Sequence, residues 1–446
     1  MANDDVETID LLIDARWVIP VNPARCVLED HSVAVRGGRI VSVLPRPRAH
    51  AEFVAAEQVS LPAHALIPGM INLHTHASMA LMRGMADDMP PANWLQDRIW
   101  PAEAKHVSPQ FVYDGTLLAC AEMLRGGITC FNDMYFYPGE AARAALDMGM
   151  RAALGLVVID HPTAYAVDAE DYVAKGLALR DTLGEQPLLT FCMAPHAPYS
   201  VSDRTFLRLL TLAEELDLPV HMHVHESLDE IERSLATHGI RPLERLRRLG
   251  LVGPNLIAVH AIQLTRGEIE LLATSGSSVA HCPTSNMKLG NGFAPVIGML
   301  AEGINVGLGT DGPASNNRLD LFQEMRTAAL LAKATGADAT ALPAYQALSM
   351  ATLDGARALR LDHAIGSIEP GKFADLTAVE FTLPEMSPCY DPISHIVYAA
   401  GRENVSHVWV AGRLLLEHRR IKLAPKNDLE NLIVLWQNRL SMETKT

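Results

Sequence analysis

Two histidines one residue apart, His74 and His76, come directly after an apolar run over residues 65–72 that is typical of a buried strand. Side chains two residues apart on a strand point to the same face, so both imidazoles could bind one cation. The pair alone is weak evidence, because the chain contains 18 histidines and some pairs arise by chance. Its weight depends on the residue types at the ends of the other apolar runs.

Polar side chains able to bind a metal or transfer a proton recur at the ends of later apolar runs. In chain order they are His196, His221, His223, His225, Glu226, His260, His281 and Asp311. If these runs are parallel strands of one barrel, their carboxyl ends lie at the same mouth. Residues that are far apart in the sequence then meet at one site.

Several neutral imidazoles with one carboxylate form the ligand set of hydrolytic Zn²⁺ sites, which leave one position for water. Bound Zn²⁺ lowers the pKa of water from about 15.7 toward about 7, and a neighbouring carboxylate such as Glu226 could carry protons. Each residue also has a structural interpretation, since a histidine at a strand end is usually a core residue and Asp311 could belong to a turn. Strand periodicity leaves His221, His223 and His225 as equal candidates, because all three share a face.

The middle of the chain alternates short apolar runs with helical stretches such as residues 111–125 and 205–216. Repeated βα units predict a parallel sheet, and eight of them fit a closed (β/α)8 barrel of the TIM type. The predicted strands cover residues 66–74, 128–133, 151–158, 188–195, 220–225, 256–260, 278–282 and 306–311.

Both ends of the chain show the alternating patterns of short β-strands, with Gly37 and Gly38 between two runs near the start. We therefore predict an α/β protein in which residues 1–65 and 366–425 form a small β-sandwich domain. Residues 66–365 form the barrel, and residues 426–446 form a C-terminal helix and tail.

Composition narrows the possible functions. The 446 residues carry a formal charge of −15, so nucleic acid is not an expected partner. No apolar stretch is long enough for a membrane span, and the acidic first eight residues lack the apolar segment of a secretory leader. The six cysteines are scattered without a Cys-x-x-Cys pair, which suits reduced thiols in the cytoplasm. A homodimer is expected from the prevalence of dimers among oligomeric enzymes.

The strand-end residues resemble the metal signature of the amidohydrolase superfamily over about residues 10–418. The matching segments are Pro-Gly-Met-Ile-Asn-Leu-His-Thr-His at 68–76, His223, and Asp311 in Gly-Thr-Asp-Gly. Two further segments are more specific to one branch of this superfamily. They are residues 283–292 (Pro-Thr-Ser-Asn-Met-Lys-Leu-Gly-Asn-Gly) and 312–317 (Gly-Pro-Ala-Ser-Asn-Asn). They resemble the 5′-methylthioadenosine/S-adenosylhomocysteine deaminase branch, which is related to adenosine deaminases and triazine hydrolases.

This resemblance implies a metal site and selects among the open candidates. It implies that one divalent ion, with Zn²⁺ expected, is held by His74, His76, His223 and Asp311. A second ion is not expected, because residues 188–195 contain no lysine for the carboxylated bridge of binuclear relatives.

The resemblance also implies roles for the residues around the metal. Glu226 matches the proton-shuttling glutamate, His260 is expected beside the water that the metal ionises, and Asp311 is expected to accept a proton from that water. Two further residues are implied in substrate binding: Glu103 resembles a ribose-binding glutamate, and His196 a substrate-contacting histidine. A last substrate-binding candidate is His281, at the barrel mouth.

The implied activity is hydrolytic deamination of an adenine nucleoside, 5′-methylthioadenosine or adenosine, to the inosine analogue and ammonia. S-adenosylhomocysteine is a less favoured substrate, because residues 154–160 lack the arginine that would bind its carboxylate. The alternatives are a hydrolase of another heterocycle, such as a chlorotriazine hydrolase or a guanine deaminase, and a non-catalytic binding barrel. Without the resemblance, Glu103 would be interpreted as a solvated carboxylate at a helix start.

Overall fold

The computed structural model describes residues 6–90, 93–423 and 426–441. The start of the acidic segment and the last five residues of the predicted tail therefore lie outside the described residues. Within the described ranges, none of the helices combines the length and apolar character that crossing a bilayer requires. Contacts within the chain divide it into two compact units. The first contains the residues up to 71, 123–130 and 320–422, and the second contains residues 72–122, 131–319 and those from 423 onward.

The strands succeed one another in the order that the sequence predicts, first from the amino-terminal end, then from the barrel, then from the carboxyl-terminal end. They are β1 (Glu7–Val18), β2 (Leu28–Arg36), β3 (Arg39–Pro45), β4 (Phe53–Pro68), β5 (Met70–Thr75), β6 (Ile128–Asp133), β7 (Arg151–Val158), β8 (Leu189–Pro195), β9 (Val220–Val224), β10 (Leu256–His260), β11 (Ser278–His281), β12 (Asn305–Leu308), β13 (Leu376–Glu380), β14 (Val405–Val410), β15 (Arg413–Glu417) and β16 (Arg420–Ile421).

Helices occupy most of the connections. They are α1 (Arg46–Glu52), α2 (Trp100–His106), α3 (Pro109–Arg125), α4 (Pro138–Asp147), α5 (Ala169–Leu183), α6 (Asp203–Glu215), α7 (Leu228–His238), α8 (Pro242–Arg248), α9 (Arg266–Ser275), α10 (Pro283–Lys288), α11 (Val296–Ala301), α12 (Pro313–Asn316), α13 (Leu321–Gly336), α14 (Ala344–Met350), α15 (Leu353–Ala358), α16 (Pro392–Tyr398) and α17 (Lys426–Ser441). A π-helical turn, Trp94–Ile99, precedes α2, and 3-10 turns cover Ala77–Met82, Pro384–Met386 and Arg402–Asn404.

Strands β5 to β12 form one parallel sheet in sequential order, which confirms the predicted eight-stranded barrel. Strands β5, β6, β7, β9, β10 and β11 are buried along their whole length, as expected for a parallel sheet covered on both faces. The chain contacts the first barrel strand, β5, just after the end of the last one, β12. There the Asp311 amide donates to the His74 carbonyl (3.0 Å). The barrel is therefore nearly closed at the mouth where the predicted site residues lie.

Two predicted strands have different bounds in the structure. The run over residues 66–74 is divided at Gly69, so that β4 belongs to the other sheet and only β5 belongs to the barrel. The predicted strand over residues 306–311 ends at Leu308. Asp311 lies beyond it in the left-handed region, with a φ of 61°, a conformation that non-glycine residues rarely adopt and that often occurs at functional sites.

Helix α6 illustrates how local sequence fixes the outer layer of the barrel. The hydroxyl of Ser202 accepts from the Thr205 amide and caps the amino terminus of this helix. Phe206, Leu209 and Leu212 then recur at three-residue spacing and are buried. Such a helix buries one apolar face and leaves the other face to solvent.

The strands of both chain ends form a second, mixed sheet in the order β16-β15-β14-β13-β4-β1-β2-β3. The predicted turn between β2 and β3 is present, and Gly37 and Gly38 both have positive φ (58° and 74°), as a tight two-residue hairpin requires. One face of the sheet packs a core that includes Ile13, Val33 and Trp409. The joint contribution of both chain ends to one β-unit is as predicted, whereas the exact domain boundaries remain predictions.

Candidate metal centre and active site

Four side chains at the carboxyl end of the barrel bring their ligand atoms together. Nε2 of His74 lies 3.3 Å from Nε2 of His223 and 3.3 Å from Oδ1 of Asp311. Nε2 of His76 lies 3.3 Å from the same Asp311 oxygen. Two ligands that are each about 2.0–2.2 Å from a tetrahedral Zn²⁺ are about 3.3–3.6 Å apart. The donor types and these three separations fit the ligand set of a divalent metal ion. The close groups of potential ligands are two that share His74, one with His76 and Asp311 and the other with His223 and His260.

The other ring nitrogen of each of these histidines has a partner. Nδ1 of His76 donates to the Met134 carbonyl (2.6 Å), and Nδ1 of His223 donates to the His196 carbonyl (2.8 Å). Nδ1 of His74 lies 3.0 Å from Nε2 of His221. The two carbonyl contacts place the lone pairs of His76 and His223 on Nε2, the atom of each ring that faces the other candidate ligands.

The carboxylate of Asp311 is held through its second oxygen. The hydroxyls of Ser285 and Ser315 each lie 2.6 Å from Oδ2 and donate to it. This leaves Oδ1 toward the two histidines, where it also accepts from the Gly312 amide (2.7 Å). The carboxylate is thereby oriented as a ligand through one oxygen.

The charges at the centre suit a cation. Burial lowers the pKa of His74 to about 3 and the pKa of His223 well below its usual value, so both rings are neutral at pH 7. Burial acts to raise the pKa of Asp311, but its hydrogen bond to His74 and the nearby His76 outweigh that effect and hold the pKa well below its usual value. Neutral imidazoles around an ionised carboxylate are the protonation states that metal binding requires.

Glu226 and His260 lie side by side next to the ligand group. Oε2 of Glu226 is 3.9 Å from Nε2 of His260, and His260 belongs with His74 and His223 to a second close group of potential ligands. Burial raises the pKa of Glu226, although His260 opposes the shift. Because a raised pKa favours the protonated carboxyl, Glu226 is suited to donating as well as accepting a proton.

Glu103 is connected to the ligand group by Tyr135, which contacts both Glu103 and His76. The Tyr135 hydroxyl donates to Oε1 of Glu103 (2.6 Å), and the rings of Tyr135 and His76 have centroids 6.3 Å apart. Burial raises the pKa of Glu103, while the Tyr135 hydrogen bond acts against the shift. This hydrogen bond involves one of the two carboxylate oxygens of Glu103.

The remaining predicted histidines differ in their distance from the ligand group. The ring of His196 is 5.0 Å from that of His223 and its Nδ1 contacts the Ser200 hydroxyl, so Nε2 is the atom that could contact a substrate. His281 is buried, and its Nδ1 has no hydrogen-bond partner within the described residues. It is not part of either close group of potential ligands, and its role at the barrel mouth stays a prediction.

The three histidines that strand periodicity could not separate have different partners. His223 faces His74, whereas His221 contacts the back of the His74 ring. His225 comes directly after the end of β9 with a φ of 57°, and its Nε2 accepts from the Leu243 amide (3.0 Å). Only His223 therefore has a nitrogen directed at the ligand group.

Sequence reasoning missed the residues that hold these groups in place. The segment over residues 283–292 is specific to one branch of the superfamily, but its sequence assigns no role to its side chains. In the structure it contacts three site residues: Ser285 contacts Asp311, Asn286 lies 2.8 Å from His260, and Asn291 contacts Glu226. The density of short polar residues in this motif was the available signal. Tyr135 carried no comparable signal, whereas His221 was already a candidate from its position on the strand.

One prediction concerns His221. Replacing it with leucine removes the partner of His74 Nδ1, and we expect metal affinity to fall by roughly 10- to 100-fold, the usual effect of losing such a partner. His221→Gln, which keeps a side-chain acceptor, should retain more of the affinity. Titration against a chromogenic chelator measures the effect, with thermal unfolding as the control for folding. Equal affinity of the leucine variant and the original protein would contradict the assignment.

A nearly closed parallel barrel with a His/Asp ligand group at its carboxyl end defines the class of metal-dependent hydrolases. The amidohydrolase family matches residues 65–415, and the chain belongs to that family. It is a hydrolase of the kind that acts on carbon–nitrogen bonds, as the resemblance predicted.

Individual relatives agree with this assignment. The chain is 44% identical over 434 residues to a 5-methylthioadenosine/S-adenosylhomocysteine deaminase of Saccharophagus degradans, covering 97% of each chain. It is 49% identical to a zinc-bound adenosine deaminase of Xanthomonas campestris, with a TM-score of 0.97 over 98% of this chain and 99% of that chain. A zinc complex of an atrazine chlorohydrolase from Arthrobacter aurescens shares the fold, with a TM-score of 0.89 at 24% identity, covering 96% of this chain and 99% of that chain.

Proposed function

We propose that this chain catalyses hydrolytic deamination of an adenine nucleoside at C6, giving the inosine analogue and ammonia. The observation that carries the proposal is the position of Glu226, whose carboxyl lies beside His260 and next to the His/Asp ligand group. Deamination of an aromatic ring needs a proton donor and a water-activating centre within reach of the same carbon, and this arrangement supplies both.

The chemistry is dictated by the poor electrophilicity of the adenine ring. Water must add to C6 while N1 gains a proton, and the C6–N bond then breaks to release ammonia. Zn²⁺ held by His74, His76, His223 and Asp311 would lower the pKa of a bound water from about 15.7 toward about 7. One ion per chain is proposed, because β8 contains no lysine that could bridge two ions.

The protein residues then have separate tasks. Asp311 accepts a proton from the attacking water, and Glu226 donates to N1 and afterwards protonates the leaving amine. His260 hydrogen-bonds the water and holds it in line with C6. Each positioned proton transfer contributes roughly 10²- to 10⁴-fold to the rate.

The substrate is proposed to be 5′-methylthioadenosine or adenosine. The names of the relatives support an adenine nucleoside, and the oxygen of Glu103 that does not bind Tyr135 could accept from the ribose hydroxyls. Residues 154–160 contain no arginine to bind the carboxylate of S-adenosylhomocysteine. That compound is therefore expected to be the weakest of the three substrates. A cytoplasmic location and a homodimer remain predictions.

The experiment that tests this proposal is an ammonia-release screen. Adenosine, 5′-methylthioadenosine, S-adenosylhomocysteine, guanine, cytosine and a chlorotriazine would be compared, with metal content measured on the same sample. Turnover of the adenine nucleosides is the expected result. Activity confined to the chlorotriazine or to guanine would replace the proposed function, and a metal-loaded protein without any turnover would favour a binding barrel.

A second prediction concerns Glu103. Glu103→Ala should lower kcat/KM for adenosine by about 10- to 100-fold, the usual effect of losing a hydrogen bond to a charged group. The same substitution should have little effect on 2′,3′-dideoxyadenosine, which lacks both hydroxyls. Steady-state kinetics of both substrates on both proteins measure the difference. An equal loss for the two substrates would show that Glu103 does not bind the ribose diol.

A further inference from the structure

We propose that Asn291 is a positioning residue that decides which oxygen of Glu226 carries the transferred proton. Nδ2 of Asn291 lies 3.0 Å from Oε1 of Glu226 and donates to it. The other oxygen, Oε2, is the one 3.9 Å from Nε2 of His260. The inference rests on the proposed function and deepens it, because it concerns the same proton transfer.

The chemistry of the amide makes the two oxygens of Glu226 unequal. The Nδ2 group of asparagine donates hydrogen bonds and accepts none. A carboxyl oxygen accepts this hydrogen bond more strongly when it carries no proton, so the bond favours the form in which the proton is on the other oxygen. Protonation is therefore directed to Oε2, on the side of Glu226 that faces His260.

The backbone of Asn291 is itself fixed in place. Its amide donates to the Asn286 carbonyl (3.0 Å), and its carbonyl accepts from Nε2 of Gln263 (2.6 Å). The glycines on either side, Gly290 and Gly292, both have positive φ (67° and 110°), which produces a tight reversal of the chain. A side chain on so constrained a turn has few orientations.

The Glu226 side is anchored independently. The backbone amide of Glu226 donates to Oε2 of Glu230 (2.8 Å), and the amide of His225 donates to Oε1 of the same carboxylate (3.1 Å). Both bonds hold the backbone at Glu226, and neither involves its side chain. Within the described residues, the Glu226 carboxylate accepts its side-chain hydrogen bond from Asn291, while His260 lies 3.9 Å from the other oxygen.

The segment that carries Asn291 also contacts the two other residues assigned to proton transfer and water binding. Helix α10 supplies Ser285 to Asp311 (2.6 Å), and Asn286 of the same helix lies against His260 (2.8 Å). Residues 283–291 thus hold three reactive side chains in one fixed arrangement.

The test compares two substitutions that separate hydrogen bonding from packing. Asn291→Asp keeps the size of the side chain but replaces the donor with an acceptor, and Asn291→Ala removes the whole group. We expect both to lower kcat for adenosine by roughly 10- to 100-fold, the loss of one hydrogen bond to a charged group, with KM little changed. Met287→Ala changes an exposed side chain on helix α10, four residues before Asn291. It is the matched control and should behave like the original protein.

A double-substitution cycle gives the second readout. If Asn291 acts through Glu226, adding Asn291→Ala to Glu226→Gln should cost little further activity, because coupled residues are not additive. Metal content and thermal unfolding are measured on each protein. An Asn291→Asp variant with full activity, or an additive loss in the double variant, would overturn the proposal.

A crystal structure of Asn291→Ala tests the inference without any activity assay. The expected result is a Glu226 side chain in a different rotamer or in several, with Glu230 and the backbone unchanged. An unmoved Glu226 would also overturn the proposal. If the original protein deaminates no adenine nucleoside, the proposed function fails, whereas the crystallographic result still decides whether Asn291 orients the carboxylate.

Discussion

Glu226→Gln is expected to lower kcat for adenosine by about 10²- to 10⁴-fold, the contribution of a positioned acid–base group. Glutamine has nearly the same shape but cannot give a proton to N1 or later to the leaving amine. Metal should be retained, since Glu226 belongs to neither of the two close groups of potential ligands. Ammonia release under substrate saturation measures the effect.

The control for this prediction is Glu232→Gln, which changes an exposed glutamate on the neighbouring helix α7 by the same substitution. It should leave both activity and metal content unchanged. Full activity of Glu226→Gln would show that another group transfers the proton. Loss of metal together with activity would mean that Glu226 acts as a ligand instead.

His223→Ala is expected to abolish stoichiometric metal binding and to lower kcat/KM by at least about 10³-fold. A bound cation stabilises the charge of the transition state by several kcal/mol. Each 1.36 kcal/mol of activation free energy changes the rate tenfold. Removing His223 takes away one of the four proposed ligands, whose Nε2 lies 3.3 Å from Nε2 of His74. Metal per chain, measured by elemental analysis after dialysis, is the primary readout.

His225→Ala provides the matched comparison, because the same residue type is removed two positions further along. His225 contacts the Leu243 amide and lies 3.7 Å from Glu268, away from the ligand group. This variant should be less stable, since a buried backbone donor loses its partner, but it should still bind metal. A folded His225→Ala protein without metal, beside a metal-loaded His223→Ala protein, would reverse the ligand assignment.

The sequence allowed a good prediction of the barrel because each strand is a local feature. An apolar run between turn residues indicates a strand that is buried on both faces. For seven of the eight predicted barrel strands, the first and last residues differ from the observed ones by three positions or fewer. The first run failed at Gly69, where the chain passes from one sheet to the other. Pro68 and Gly69 mark a break in this apolar stretch, but they do not indicate a change of sheet, because strands of both sheets bury the same residue types.

The candidate site was predicted less completely. Strand-end residues such as His74 and Asp311 are visible in sequence, since position on a strand determines which end of the barrel they reach. The choice of His223 needed the family resemblance, because period-two geometry treats His221 and His225 in the same way. In the structure, β9 ends at Val224 and the left-handed conformation of His225 turns that residue toward Leu243.

By itself, the sequence determined the order of βα units, the chemistry gathered at their carboxyl ends and the family to which the chain belongs. Those properties depend on residue type and on spacing within a few positions. The tertiary structure alone decided which atoms face one another, as when Asn291 meets Glu226 across 65 positions of sequence. Such pairings arise only when the barrel closes and brings separate loops to one mouth, since a hydrogen bond depends on tenths of an ångström that no local pattern encodes.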